Sequence, residues 1–120
     1  MNNDIYKNLK DIKFEDLAFI LLIVSGILDI LGNDDLKNYY TNSYGKEDAR
    51  KKFILSSCII LIAFGYFVYR NYKKMKELDP FSEEYKYAYS RFIGSLFLLV
   101  GELLILYYFI NTSQLRDDGY

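Results

Sequence analysis

Apolar residues are concentrated in three long runs of the 120-residue chain, and the charged residues lie almost entirely between the runs. The runs cover residues 17–32, 53–69 and 92–110. A membrane-spanning helix needs about 20 apolar residues, with about 17 as the short limit. The second and third runs reach this limit, and the first reaches it if a flanking polar residue lies at the membrane interface. The pattern predicts three membrane-spanning α-helices.

The third run is the strictest test of this prediction, because it contains the carboxyl group of Glu102. Its thirteen Leu, Ile, Val and Phe residues contribute roughly −6 kcal/mol to insertion, against about +3 kcal/mol for Glu102. The alternative is a soluble helical domain. However, a soluble helix keeps a polar face for water, and the second run has no charged residue on any face. We therefore predict an all-α membrane protein, with residues 1–120 as a single domain.

Residues 1–16 precede the first span and contain Ile5, Leu9 and Ile12 on one helical face. This spacing predicts either a short amphipathic helix in the headgroup layer or a solvated tail. A cleaved signal peptide is a further alternative, because lysines precede the apolar run and small residues lie within it. The several acidic residues of this segment argue against cleavage.

The two segments between the spans predict different structures. Residues 32–52 are polar and lack clear periodicity, which predicts a loop of moderate length before a second helix that starts near Glu47. That helix is expected to continue past its apolar run and to end before Pro80. Asp79 as N-cap, with Pro80 as the first helical residue, predicts the start of the third helix. The expected architecture is a compact bundle in which spans two and three form a helical hairpin that extends beyond the bilayer.

Basic residues near the span ends predict the orientation. Residues 1–16 and 70–91 contain nine Lys or Arg, whereas residues 32–52 and the C-terminal segment contain six. Because basic residues are retained on the cytoplasmic side, the N-terminus is expected inside. The chain is also rich in Asn, Lys, Ile and Tyr and lacks Trp, as expected of an AT-rich genome, and we expect a bacterial cell membrane.

Asp29 and Glu102 are the ionisable residues inside the apolar runs, and an intramembrane carboxyl is by default a functional candidate. Spans one and three run in the same direction, so the two carboxyls can lie at similar depth. In a structural interpretation, a protonated carboxyl donates a hydrogen bond to a partner such as Ser57. In a functional interpretation, Glu102 binds a proton or a cation. Asp29 can instead form an ion pair with Lys51 or Lys52.

Small residues recur along one face of each span. In span three, Gly94 and Gly101 are seven residues apart, and so are Ser95 and Glu102, the polar residues that follow them. Glycine allows helix backbones to approach closely, so this pattern indicates a tightly packed three-helix unit or a homo-oligomer. The predicted packing residues are Gly26, Gly65, Gly94 and Gly101.

The sequence contains few residues or motifs that are typical of catalysis or metal binding. There is no histidine, and the single cysteine, Cys58, cannot form an intramolecular disulfide. Phosphate-binding glycine patterns, zinc-binding motifs and nucleophile motifs are also missing from the sequence. We predict a protein that is not an enzyme and that binds no cofactor. The net charge of −1 offers no attraction for nucleic acid.

The spans have several faces suited to helix packing, and the sequence has no motif typical of catalysis. We therefore predict a small accessory, regulatory or immunity-type subunit in the lipid bilayer. It is expected to pack against another membrane protein or against copies of itself. One alternative is a self-assembling pore. The three-span layout resembles that of some phage holins, in architecture alone, and the chain lacks their strongly charged C-terminal tail. The other alternative is a proton or cation pathway centred on Glu102.

Overall fold

The computed structural model describes residues 2–112, and the side chains of residues 3–112. This part of the chain consists of three α-helices, as predicted, joined by short turns. They run up, down and up, and α2 lies between α1 and α3, which make few contacts with each other. The Cα atoms extend over 61 × 27 × 16 Å, so the helices form one layer, flatter than the compact bundle that the sequence predicts. The helices are α1 (Asn2–Asn42), α2 (Lys46–Lys76) and α3 (Glu83–Asn111).

Helix α1 is much longer than its apolar run. Residues 2–16 are continuous with that run rather than a separate segment, and the helix continues through residues 32–42. The predicted loop over residues 32–52 is therefore wrong, since only residues 43–45 separate α1 from α2. Extending an existing helix costs far less than nucleating a new one, and an ion pair from Asp35 to Lys52 of α2 holds the polar extension in place.

The tight turn between α1 and α2 depends on a left-handed backbone. Ser43 has a φ of 64° and Gly45 has a φ of 99°. The Ser43 amide donates to the Tyr39 carbonyl at 2.7 Å and closes α1, and the Gly45 carbonyl accepts from the Ala49 amide at 2.9 Å and opens α2. A Cβ atom at position 45 would lie 3.0 Å from the backbone oxygen of Asp35, so this position requires glycine.

The connection between α2 and α3 is partly as predicted. Helix α2 ends before Pro80, but α3 does not begin at that residue. Ser82 is the N-cap, and its hydroxyl accepts from the Tyr85 amide at 3.1 Å. Asp79 instead accepts from the Phe81 amide at 3.1 Å within the turn. A serine followed by two glutamates is the stronger start signal, because both its hydroxyl and the acidic first turn favour a helix N-terminus.

The interface between α1 and α2 is made of small residues at a spacing of seven. Such a period keeps one face of each helix towards its neighbour and allows close approach of the two backbones. The Ser56 hydroxyl donates to the Ser25 carbonyl across this interface at 3.0 Å. The buried residues of this interface are Ala18, Ser25 and Gly32 on α1, and Ala49, Ser56 and Ala63 on α2.

Arg50, in the second turn of α2, donates hydrogen bonds to backbone carbonyl groups at the C-terminal end of α3. Its Nε atom donates to the Phe109 carbonyl at 3.1 Å and its Nη2 atom donates to the Ile110 carbonyl at 3.3 Å. Its Nη1 atom forms an ion pair with Glu47 at 2.8 Å. The last carbonyls of a helix lack partners within the helix and carry partial negative charge, so a guanidinium is a suitable cap.

Large apolar side chains point away from the other helices. Ile62 of α2 is 64% exposed and Leu104 of α3 is 65% exposed, whereas the buried positions are mainly Ala and Ser. Extended apolar surfaces of this kind mark contact with a membrane or with another protein. By length and composition, α2 and α3 can each cross a membrane. Crossing by α1 stays a prediction, as does the orientation, part of which depends on C-terminal residues outside 2–112.

Two glycines of α1 differ in a way that can be tested. A Cβ atom at Gly32 would lie 2.8 Å from Cε1 of the buried Phe53 ring, whereas one at Gly26 would have no atom within 4 Å. Gly26→Ala is expected to raise the free energy of unfolding by about 1 kcal/mol through helix propensity. Gly32→Ala is expected to lower it by about 1 kcal/mol, because overpacking outweighs propensity. Unfolding in mild detergent, followed by circular dichroism, measures both, and equal effects would contradict the assigned packing.

Candidate functional sites

Glu102 lies between α2 and α3 and is buried. The Ser57 side chain of α2 is also buried and lies near enough to the Glu102 carboxyl group to act on it. Helix periodicity places Ser95 one heptad before Glu102, also buried, so both polar residues face α2 rather than the outer surface of the layer. The structural interpretation, in which a protonated Glu102 donates a hydrogen bond to a partner such as Ser57, stays a prediction.

Asp29 of α1 is near enough to Glu102 to act on it electrostatically, although α2 lies between their helices. The predicted ion pair from Asp29 to Lys52 is not formed, because Lys52 pairs with Asp35. Asp35 is nearly two turns further along α1, opposite the first turns of α2, and is therefore the nearer partner.

The four glycines singled out from the sequence do not pack inside the described chain. A Cβ atom at any of these positions would meet no atom within 4 Å. Close helix contacts are made instead by the neighbouring serines and alanines, and by Gly32. A role for these glycines in contacts with another molecule stays a prediction. They are Gly26 and Gly65, together with Gly94 and Gly101 on α3.

A groove of about 1060 Å³ opens where the start of α1, the end of α2 and the start of α3 meet. This groove is not evident from the sequence, because its residues come from three distant segments. The only local signal was the density of lysine, arginine and tyrosine around the ends of the spans. We call it the basic groove, and its basic lining residues are Lys7, Lys10, Arg70, Lys73, Lys74 and Arg91.

Two ion pairs join α1 to α2 at the basic groove. Arg70 pairs with Glu15, and their side chains are only 11% and 23% exposed. Lys7 pairs with Glu77 at 3.0 Å on the surface. The hydrogen bond and the charge of Glu77 raise the pKa of Lys7. Burial, and then the charge of the nearby Arg91, lower the pKa of Arg70.

The basic groove brings charged side chains of three helices together. Within residues 2–112, no three His, Cys, Asp or Glu side chains are grouped so that they could hold a metal ion. Cys58 is exposed rather than buried. No protein-family model, no curated protein and no solved structure matches this chain.

Proposed function

We propose that this chain is a non-enzymatic, multi-pass membrane protein, an accessory, regulatory or immunity-type subunit that packs against a larger membrane protein. We place it in a bacterial cell membrane with its N-terminus inside. The observation that carries this proposal is the single layer of helices, in which α3 packs on α2 and leaves its remaining surface open. A partner helix can pack against that surface without displacing α1 or α2.

The open surface of α3 contains two glycines that have no role within the layer. Gly94 and Gly101 have space for a Cβ atom and would stabilise the helix as alanine. Each glycine inside a helix costs about 1 kcal/mol relative to alanine. In membranes, small residues of this kind are typical of positions where a second helix approaches closely. A protein neighbour on this side of α3 would explain why glycine is present at both positions despite its low helix propensity.

Capture from native membranes tests this proposal. A tagged wild-type chain, extracted in mild detergent after crosslinking, is expected to carry a larger membrane protein with it. Gly101→Leu is expected to reduce this capture about tenfold, because a bulky side chain at a close helix contact costs 1–3 kcal/mol, on the order of a tenfold change in affinity. Gly94→Leu is expected to act in the same direction.

Leu103→Phe is the matched control, because it adds bulk on the opposite flank of α3 and should leave capture unchanged. Neither Gly→Leu variant should lose helical content or thermal stability in the isolated chain, since a Cβ atom at either glycine meets no atom within 4 Å and leucine has the higher helix propensity. A wild-type chain recovered from native membranes as a lone monomer would count against an accessory role. A discrete homo-oligomer would favour the pore alternative instead.

The alternative function is a self-assembling, holin-like pore or a proton or cation pathway centred on Glu102. The observation that favours it is that Asp29 lies near enough to the buried Glu102 to act on it electrostatically, because two neighbouring intramembrane carboxyl groups can hold a proton or a cation. A pore predicts growth arrest with loss of membrane potential on expression. A pathway predicts a pH-dependent flux into liposomes, and harmless expression with no flux would eliminate both.

A further inference from the structure

We propose that the basic groove binds the phosphate group of an anionic phospholipid headgroup. The inference rests on the proposed function only in placing the chain in a bilayer, and it needs no protein partner. It uses three features of the described residues: uncompensated positive charge, two arginines from different helices that line one groove, and a position among interfacial tyrosines.

The basic groove carries more positive charge than its own acidic residues neutralise. Lys7 and Arg70 are already paired with glutamates. Lys10, Lys73, Lys74 and Arg91 make no ion pair within residues 2–112, and the acidic lining residues besides Glu77 are Asp4 and Asp11. A cleft with an excess of one sign of charge attracts ions of the opposite sign, so the net positive charge of the groove favours an anion.

Arg70 and Arg91 supply the geometry for a phosphate. Arg91 is exposed on α3 and acts electrostatically on Arg70 of α2, so two guanidinium groups lie near each other in the groove. The guanidinium of Arg70 is largely buried and paired with Glu15, whereas Arg91 is exposed and makes no ion pair within residues 2–112. A phosphate that accepts from Arg91 would also offset the repulsion between the two arginines, and guanidinium forks match phosphate oxygens.

The position of the basic groove points to a lipid as the source of the phosphate. Tyr66, Tyr69 and Tyr87 line it, and tyrosines of membrane proteins concentrate at the level of the headgroups. The groove also lies at the end where apolar span two gives way to a basic segment. Basic clefts between helices at the cytoplasmic interface are suitable sites for anionic headgroups, whose phosphates lie at that depth.

Native mass spectrometry of the full chain released from nanodiscs tests the proposal. In nanodiscs of equal parts phosphatidylcholine and phosphatidylglycerol, the wild-type chain should retain phosphatidylglycerol in clear excess. Arg91→Gln and Lys74→Gln should each reduce this excess about fivefold, because a basic residue near an anionic membrane surface contributes about 1 kcal/mol. Lys51→Gln removes the same charge at the opposite end of α2 and should have no effect.

The following outcomes would contradict the proposal. Equal retention of both lipids by the wild-type chain would overturn it, as would equal losses in the groove variants and in Lys51→Gln. Inorganic phosphate that stabilises the wild-type chain against heat in a zwitterionic detergent, without lipid selectivity in nanodiscs, would assign the groove to a soluble phosphate compound instead. Capture of a protein partner by Arg91→Gln, measured in parallel, separates failure of this proposal from failure of the proposed function.

Discussion

Replacing Arg70 with methionine is expected to lower the free energy of unfolding by about 3 kcal/mol, because it leaves the carboxylate of Glu15 buried between α1 and α2 without its partner. Both side chains are largely buried, so solvent screens the pair only weakly. Urea unfolding in mild detergent, followed by circular dichroism, measures the change. Glu15→Gln is expected to destabilise in the same direction, because it leaves the guanidinium unpaired.

The double variant distinguishes an ion pair from simple loss of packing. Glu15→Met combined with Arg70→Met should recover at least half of the stability lost in Arg70→Met, because no isolated charge then remains in the interface. Lys37→Met serves as the control, since it breaks an exposed pair with Asp34 and should change little. A double variant as unstable as the sum of its single variants would show that the two side chains act independently.

Replacing Glu102 with alanine is expected to lower the free energy of unfolding by about 2 kcal/mol, through lost packing and an unsatisfied Ser57 hydroxyl between α2 and α3. Glu102→Gln keeps the size and the hydrogen bonding and should cost less than about 1 kcal/mol. A double-mutant cycle with Ser57→Ala should give a coupling of about 1 kcal/mol, within the range found inside membrane proteins. No coupling would contradict the contact.

The glutamine variant also separates the structural and transport interpretations of Glu102. A neutral amide cannot bind and release a proton, whereas it can still hold α3 against α2. In an accessory subunit, Glu102→Gln should therefore retain full partner capture. Loss of a pH-dependent flux in this variant, with the helical content unchanged, would instead support a proton pathway.

The choice of packing residues shows a limit of sequence interpretation. The spacing of seven was visible in span three, where the pairs Gly94 with Ser95 and Gly101 with Glu102 recur. The glycine of each pair is the predicted contact, but the structure buries the other member, Ser95 or Glu102. Adjacent residues differ by about 100° around a helix, so the period alone does not decide which member faces the neighbour.

The sequence by itself determined that the chain is helical, where the apolar runs lie and that α2 ends before Pro80. These features depend on local signals: apolar composition, helix propensity and the restriction before proline. It did not predict that α1 would extend to residue 42, because that extension is held by an ion pair to Lys52 of another helix.

Only the tertiary structure decided which face of each helix is buried, that the helices form one layer, and that a basic groove lies at one end. Each of these depends on the relative rotation and order of helices that are distant in sequence. Arg70 shows the reason most clearly. In the sequence it is one basic residue after an apolar run, but packing of α1 places Glu15 beside it and the start of α3 brings Arg91 near it. Packing of three helices thus turns an ordinary interfacial arginine into a buried ion-pair partner and one wall of a candidate anion site.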